Sequence, residues 1–289
     1  MFWGLIAILL IIYCISVTQY RKTEYYTQTK NAFLGVLFNK GKNGEYRTYK
    51  YLNGLQGNKK YLFNLYLPKD NGETTEIDVV LLHDSGMYVF ESKNYSGWIY
   101  GTETQKSWTQ TLPRGRGKSQ KNHFFNPIMQ NIGHIKWLKS YLQNEYLPVY
   151  SCIVFSDRCT LKNVNLTSGE HKVINRYNIL RTVNRNATIQ GTQLSKMQID
   201  EIYNKLYPLT QVGFDVKQEH IQSIQNKKNP TKQSYATNET ENGIKEIQIC
   251  PRCGGKLKIR TTSKGQNQGS KFYGCSTYPK CRYTKNITE

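Results

Sequence analysis

Charged side chains stand where a buried hairpin should carry aliphatic ones. In EIDVVLLHDSGMYVFESK, residues 76–93, two apolar runs flank HDSG, and Asp78, Glu91 and Lys93 sit toward their outer ends. A hairpin closed by HDSG, or by Asp84-Ser85 alone, pairs Leu82 with Met87, and the same register sets Asp78 opposite Glu91. Opposed residues share a face, with Cβ atoms about 4.5–5.5 Å apart. Lys93 lies two residues past Glu91 and projects from that face too. A three-residue loop would instead put Phe90 opposite Asp78. The apolar neighbours, Val79 to Leu82, Val89 and Phe90, predict a central hairpin covered on both sides. Two carboxylates so close repel each other, and one lysine offsets only one of them. A divalent cation held by Asp78 and Glu91 compensates the pair. A solvent-facing strand end, with Lys93 as counter-ion, is the other reading of the same pattern.

The elements that must position these groups are legible nearby. GEYRTYKYLNGL, residues 44–55, predicts a helix with Tyr49, Leu52 and Leu55 on one side. Glu45 falls on that inward side, either as a third acidic ligand or as a first-turn acid at the helix N-terminus. YLFNLYL (61–67), GWIYG (97–101) and CIVF (152–155) read as strands. Asn126-Pro127 opens a helix, Asn as N-cap and Pro in the first turn, with Ile128, Ile132, Ile135, Leu138 and Leu142 at helical spacing. QLSKMQIDEIYNKLY (193–207) closes the segment as an amphipathic helix. Strands alternating with helices predict an α/β core with a mixed sheet.

GEYRTYKYL, TTEIDVVLLHDSGMYVFESKNYSGWIYG, WTQ and FFNPIMQN occur in this order. Over residues 41–145 they resemble the nuclease-related domain (NERD), a family assigned to the PD-(D/E)xK nuclease-like superfamily. The resemblance implies a restriction-endonuclease-like mixed sheet flanked by helices. It implies that Asp78 and the Glu91-x-Lys93 pair are the signature residues, that Glu45 corresponds to the helical acid, and that Gln130 matches a motif glutamine. Val79 departs from the pattern, since many members carry His there. The implied chemistry is phosphodiester hydrolysis, with Mg²⁺ or Mn²⁺ held by Asp78 and Glu91 and with Lys93 orienting or deprotonating the attacking water.

PRGRGKSQKNH, residues 113–123, carries Arg114, Arg116, Lys118 and Lys121 among glycines. It reads as a basic loop that wraps a nucleic-acid backbone, or as an exposed mobile loop without a fixed ligand. The excess of 40 Lys and Arg over 20 Asp and Glu, a net charge of +20, points to a polyanionic partner, nucleic acid or anionic lipid.

Near the C-terminus, CPRCGGKLKIRTTSKGQNQGSKFYGCSTYPKC places Cys250, Cys253, Cys275 and Cys281 at zinc-ligand spacing, while Cys14, Cys152 and Cys159 are scattered. So short a segment builds little apolar core, and a structural Zn²⁺ supplies its folding energy. Disulfides are the alternative, disfavoured in a reducing compartment. CPRCGGKL and FYGCSTYPKC resemble the zinc ribbon of bacterial type IA topoisomerases, which implies single-stranded DNA binding. Lys256, Lys258, Arg260, Lys264, Lys271 and Lys280 offer phosphate contacts, and Phe272, Tyr273 and Tyr278 offer stacking faces.

MFWGLIAILLIIYCISVTQY lacks charge, and Arg21 and Lys22 follow at once. With its fringe it is long enough to span a bilayer. It reads as a single-pass anchor in the cell membrane, positive charge placing the rest of the chain in the cytoplasm, in preference to a cleaved signal peptide. The expected layout is an anchor at 1–20, a nuclease-related domain at 41–210, a flexible polar linker at 216–247 and a zinc ribbon at 248–289. Two functions fit: a membrane-anchored, metal-dependent DNA nuclease with a zinc-ribbon arm, or a catalytically silent tether holding nucleic acid at the membrane.

Overall fold

The computed structural model describes residues 2–228, 250, 252, 257–262, 271–276, 278–279 and 281–286. The chain divides into two compact units, Met1–Asn229 and Pro230–Glu289.

The first unit opens with α1 (Phe2–Arg21), α2 (Glu24–Thr29), α3 (Phe33–Phe38) and α4 (Lys40–Tyr51). The α1 stretch Trp3–Arg21 is long and apolar enough to cross a membrane. Two short helices, α2 and α3, thus connect α1 to α4. Thr23 caps α2 by accepting from the Tyr26 N–H at 3.2 Å, and Asn39 caps α4 by accepting from the Lys42 N–H at 3.0 Å. Next come β1 (Lys59–Pro68), β2 (Thr74–His83), β3 (Gly86–Lys93), β4 (Gly97–Thr102), β5 (Ser107–Pro113), β6 (Ser119–Phe125) and α5 (Pro127–Leu142). The unit closes with β7 (Val149–Phe155), β8 (Cys159–Asn165), β9 (His171–Asn175), α6 (Ile179–Gln190), α7 (Lys196–Leu206) and α8 (Phe214–Lys228).

A five-stranded mixed sheet runs β1-β2-β3-β7-β9. The first three strands are antiparallel, and β7 and β9 join parallel. Leu82 faces Met87 and Val79 faces Phe90, so the hairpin turns over Asp84-Ser85. Val79 to Leu82, Val89 and Phe90 are fully buried, and each such side chain contributes roughly 1.5–3 kcal/mol. One face, with Phe63, Val79, Leu81 and Phe90, packs under α4 and α6 through Leu52, Leu55, Ile179 and Val183. The other, with Leu62, Leu65, Val80 and Val89, is covered by α5 and α7 through Leu138, Ile199 and Leu206.

A second sheet, β6-β5-β4-β8, stands beside the first where the sequence suggested a single sheet. Trp108, Ile99, Ile153 and Phe155 form the core between them. The supposed basic loop is the tip of the β5–β6 hairpin. It escapes sequence reading because β6, SQKNHFF, is largely exposed and has no run of alternating apolar residues. Ile132, assigned to the buried face of α5, is 47% exposed.

Residues 216–228 of the expected linker are helical instead, as part of α8. The helix docks on β2 by polar contacts: Lys227 and Ser223 reach Glu73 at 2.6 and 3.0 Å, and buried His220 meets Thr74 at 3.0 Å. Its apolar Phe214, Ile221 and Ile224 remain exposed, so hydrophobic periodicity gave no signal. Residues 229–247 of that linker lie outside the described residues.

In the second unit, β10 (Leu257–Thr261), β11 (Lys271–Cys275) and β12 (Thr284–Asn286) form an antiparallel sheet.

Candidate active site

The alternation of β1 and β2 breaks at Asn64 and Asp78. Phe63 and Val79 join one core cluster, whereas Leu65 and Ile77, two residues away, join the other. Asn64 has φ of 52°, the left-handed region. This kink turns Asp78 toward the end of β3, where its Oδ2 accepts the Ser92 N–H at 2.8 Å. Helix α4 lies directly over that end. A Cβ on Gly44 would come within 2.9 Å of Ser92 Oγ, so only glycine permits the approach that sets Glu45 beside the strands.

Glu91 and Lys93 project toward α5. Lys93 Nζ donates to Glu91 Oε1 at 2.6 Å and to Gln130 Oε1 at 3.0 Å. The other Glu91 oxygen meets His134 Nε2 at 3.1 Å, and His134 Nδ1 meets Thr75 Oγ1 at 2.8 Å. Asn131 fixes α5 on the sheet by donating to Val89 O at 3.0 Å and to Ser151 Oγ at 2.9 Å. Glu45 accepts from Tyr25 Oη at 3.1 Å, and Glu76 accepts from Tyr66 Oη at 2.7 Å.

These contacts split the acids into two electrostatic classes. Burial works against the Glu91 charge, but Lys93 and His134 outweigh it and pull its pKa down to about 2. Burial likewise opposes the charge on Lys93, and Glu91 outweighs it, so the ammonium is held. Asp78 goes the other way. Burial, then Glu91 and Glu45, push it well above the carboxylate range. Burial and the Glu76 charge raise Glu45 to about 7. The cluster therefore carries more carboxylate than its lysine can neutralise. One buried acceptor at its edge, Asn64 Oδ1, has no hydrogen-bond partner.

Of the residues proposed from sequence, Glu91, Lys93 and Gln130 form one hydrogen-bonded chain, while Asp78 and Glu45 join through backbone and charge. Arg114, Arg116, Lys118 and Lys121 lie on the β5–β6 hairpin and make no hydrogen bond or ion pair with Glu45, Asp78, Glu91, Lys93 or Gln130; Arg114 Nε donates to Gln120 at 3.0 Å. Sequence reasoning missed His134 and Glu76. Both had a signal: His134 lies four residues after Gln130 on the same helix face, and Glu76 two before Asp78 on the same strand. Asn64 and Tyr25 had none.

In the second unit the Sγ atoms of Cys250, Cys275 and Cys281 lie within 4.8 Å of one another, and those of Cys250 and Cys281 are 3.8 Å apart. That is too long for a disulfide (about 2.05 Å) and matches the edge of a tetrahedral zinc site with Zn–S near 2.3 Å. Cys253, Lys256, Lys264 and Lys280 lie outside the described residues. Among the described residues no other group of three His, Cys, Asp or Glu ligand atoms converges within 4.8 Å; the acids of the first unit are spread more widely. Lys258 and Lys271 are exposed on the sheet. Phe272 and Tyr273 are consecutive on β11 and face opposite sides. Arg260 stacks over the Tyr278 ring at 5.6 Å.

Residues 40–156 match the family described as nuclease-related domain, and residues 247–289 match the topoisomerase DNA binding C4 zinc finger. The chain belongs to the nuclease-related-domain family and carries a topoisomerase-type zinc ribbon. It is 34% identical over 189 residues to an uncharacterized protein of Bacillus anthracis, covering 65% of this chain and 85% of that one. Its ribbon is 48% identical over 44 residues to DNA topoisomerase 1 of Methanocaldococcus jannaschii, 15% of this chain and 5% of that protein. No solved structure matches the chain. The two families support nucleic-acid binding, and the cysteine cluster supports a structural zinc ion.

Proposed function

We propose that this chain is a membrane-anchored, metal-dependent DNA nuclease whose zinc ribbon holds DNA near the catalytic domain. The observation that carries this reading is the surplus of half-buried carboxylate at Asp78 and Glu45 beside the buried Glu91 and its Lys93 partner. A protein that only tethers DNA has no use for acids whose ionisation its own fold opposes.

The donor set fits a hard divalent cation: carboxylate oxygens, a partnerless amide oxygen at Asn64 and surplus negative charge. Bound Mg²⁺ or Mn²⁺, held by Asp78 and Glu91 with Glu45 close by, would polarise the scissile phosphate and offset developing charge. Lys93 stays protonated, so it acts as a donor, not as a base. Two of its three N–H groups are engaged by Glu91 and Gln130, which leaves one to orient the attacking water. His134, steadied by Thr75, keeps Glu91 ionised and aimed. Gln130 fixes the ammonium from the α5 side.

Helix α1, followed by Arg21 and Lys22, anchors the chain in the cell membrane with both units on the cytoplasmic side. Lys258, Lys271, Phe272 and Tyr273 offer the ribbon phosphate and stacking contacts for single-stranded DNA. Tethered together, the two units raise the DNA concentration at the catalytic face.

One observation favours the tether instead: both Glu91 oxygens already have partners. The test is cleavage of single- and double-stranded DNA by the full chain in detergent, with Mg²⁺ or Mn²⁺ and with chelator. The nuclease reading expects metal-dependent cuts that Asp78→Ala abolishes. Cleavage no greater than that of Asp78→Ala would leave the tether.

A further inference from the structure

On the other side of α4 from Glu45 lies an imbalance of opposite sign. Arg176 is fully buried, and its three guanidinium nitrogens have no hydrogen-bond partner. The carboxylate that offsets it most, Asp157, already accepts from Tyr51 Oη and the Tyr177 N–H, both at 3.0 Å. Arg47 and Arg158 add like charge around it. Such a group is costly without a counter-ion.

Beside α4 opens a cleft of about 240 Å³ edged by Lys40, Arg47 and Arg158. Arg176 Nη2 and Asn94 Cβ both lie within 3.7 Å of where a Gly44 Cβ would stand, so the buried guanidinium adds its charge close to the Asn94 side of the cleft without lining it. Arg158 is held in place by Ser156 Oγ at 3.2 Å and Asn94 Oδ1 at 3.1 Å. Arg47 is exposed and makes no hydrogen bond or ion pair among the described residues. Three cations, one of them fixed by hydrogen bonds, thus edge a space sized for a compact anion.

Its remaining wall is apolar. Leu37 and Phe38 line the cleft, and Phe38 is 83% exposed. They end α3, whose Leu34 is exposed too. Phe33 of the same helix packs on α1, its ring 6.0 Å from Tyr13 and 5.3 Å from Tyr20. Tyr13 lies well inside the candidate span Trp3–Arg21. If α1 spans a bilayer, as proposed above, α3 lies at the level of the interface, and the cleft opens where headgroups meet acyl chains. A nucleic-acid phosphate would not call for an apolar wall continuous with the span.

We propose that the cleft between α3, α4 and Arg158 binds the phosphate headgroup of one anionic phospholipid, with Leu37 and Phe38 against its acyl region. This rests on reading α1 as a span. It assigns the anchor a lipid preference and ties α4, the helix that carries Glu45, to the membrane surface.

The test is native mass spectrometry of the full chain in detergent with added phosphatidylglycerol or phosphatidylcholine. One phosphatidylglycerol should stay bound per chain, and phosphatidylcholine should not. The R47Q/R158Q double variant should lose at least ten-fold in retention, with its melting curve and zinc content unchanged. Phe38→Gln should weaken short-chain phosphatidylglycerol but not inorganic phosphate. Equal retention by R47Q/R158Q, equal retention of phosphatidylcholine, or inorganic phosphate as strong a ligand as the lipid would overturn the proposal. So would a single-stranded oligonucleotide that displaces the lipid and depends on the same two arginines. Carbonate-washed membranes report the span separately: wild type and R47Q/R158Q should both remain, and a wild-type chain washed free would remove the span and the lipid site together.

Discussion

Helix α4 separates two charge imbalances that the fold treats differently. On one side Glu45 faces Asp78 and Glu76, and part of the surplus is neutralised internally, because Lys93 and His134 hold Glu91 as an anion. On the other side Arg176 has no such partner, and Asp157 is already shared. The acid side is therefore a half-compensated network, with one carboxylate satisfied and two left wanting. The basic side is an uncompensated buried charge, with Lys40, Arg47 and Arg158 edging a cleft nearby. The comparison teaches that a polar core can be stable as a network and still be incomplete at defined atoms. Those atoms are where ligands belong.

The comparison can be broken at several points. The largest effect is expected outside both regions. Cys250→Ser should take bound zinc from one ion per chain to none by metal analysis and weaken single-stranded DNA binding about ten-fold or more in an anisotropy titration, since metal binding supplies the ribbon's folding energy. Unchanged zinc content would refute the assigned site.

Next comes Glu91→Ala. It strips Lys93 of its counter-ion and should cost about 3–5 kcal/mol in urea unfolding at pH 7. The Glu91 pKa is depressed on folding, so its contribution is present above the unfolded value near 4.5 and fades as pH falls toward about 2. The wild-type-minus-variant difference should shrink along that window.

Glu45→Gln should act in the opposite direction and more weakly. Its pKa rises on folding from 4.5 to about 7. The metal-free protein is therefore penalised progressively as pH climbs through that range, by on the order of 1–3 kcal/mol above it. The glutamine variant should be the more stable form at pH 8 and equal to wild type near pH 4. A destabilised variant at pH 8 would show that Tyr25 and Asn64 prefer the anion, and that the site is balanced without metal.

The smallest effect is expected at Gln130→Ala, which removes one acceptor from Lys93 while Glu91 keeps it charged. Cleavage should fall about ten-fold, with little change in melting temperature. A complete loss would mean that Gln130 does more than position the lysine.

Much of the acid side was legible because period-2 alternation and hairpin register are arithmetic on the sequence. The register from Val79–Phe90 to His83–Gly86 follows from where the apolar runs meet HDSG, and Gln130 from its place in FFNPIMQN, but the ladder stops short of the expected Asp78–Glu91 pair. The kink that aims Asp78 was not legible, since it depends on a left-handed Asn64 that no local rule demands. The Arg176 side was invisible. Its parts come from α4, the ends of β3 and β7, and the turn after β9, and only the tertiary fold joins them. The β5–β6 hairpin and α8 were missed for different reasons: β6 is mostly exposed and the hairpin is anchored by Trp108 and Phe124 alone, while α8 docks by polar contacts that apolar periodicity does not record.

The most direct measurement is a Mn²⁺ titration of the full, zinc-loaded chain followed by electron paramagnetic resonance, wild type against Asp78→Asn. The account predicts one tightly bound Mn²⁺ per wild-type chain and none in the variant, which should be the more stable protein without metal. Equal Mn²⁺ binding by both, or none by either, would contradict it.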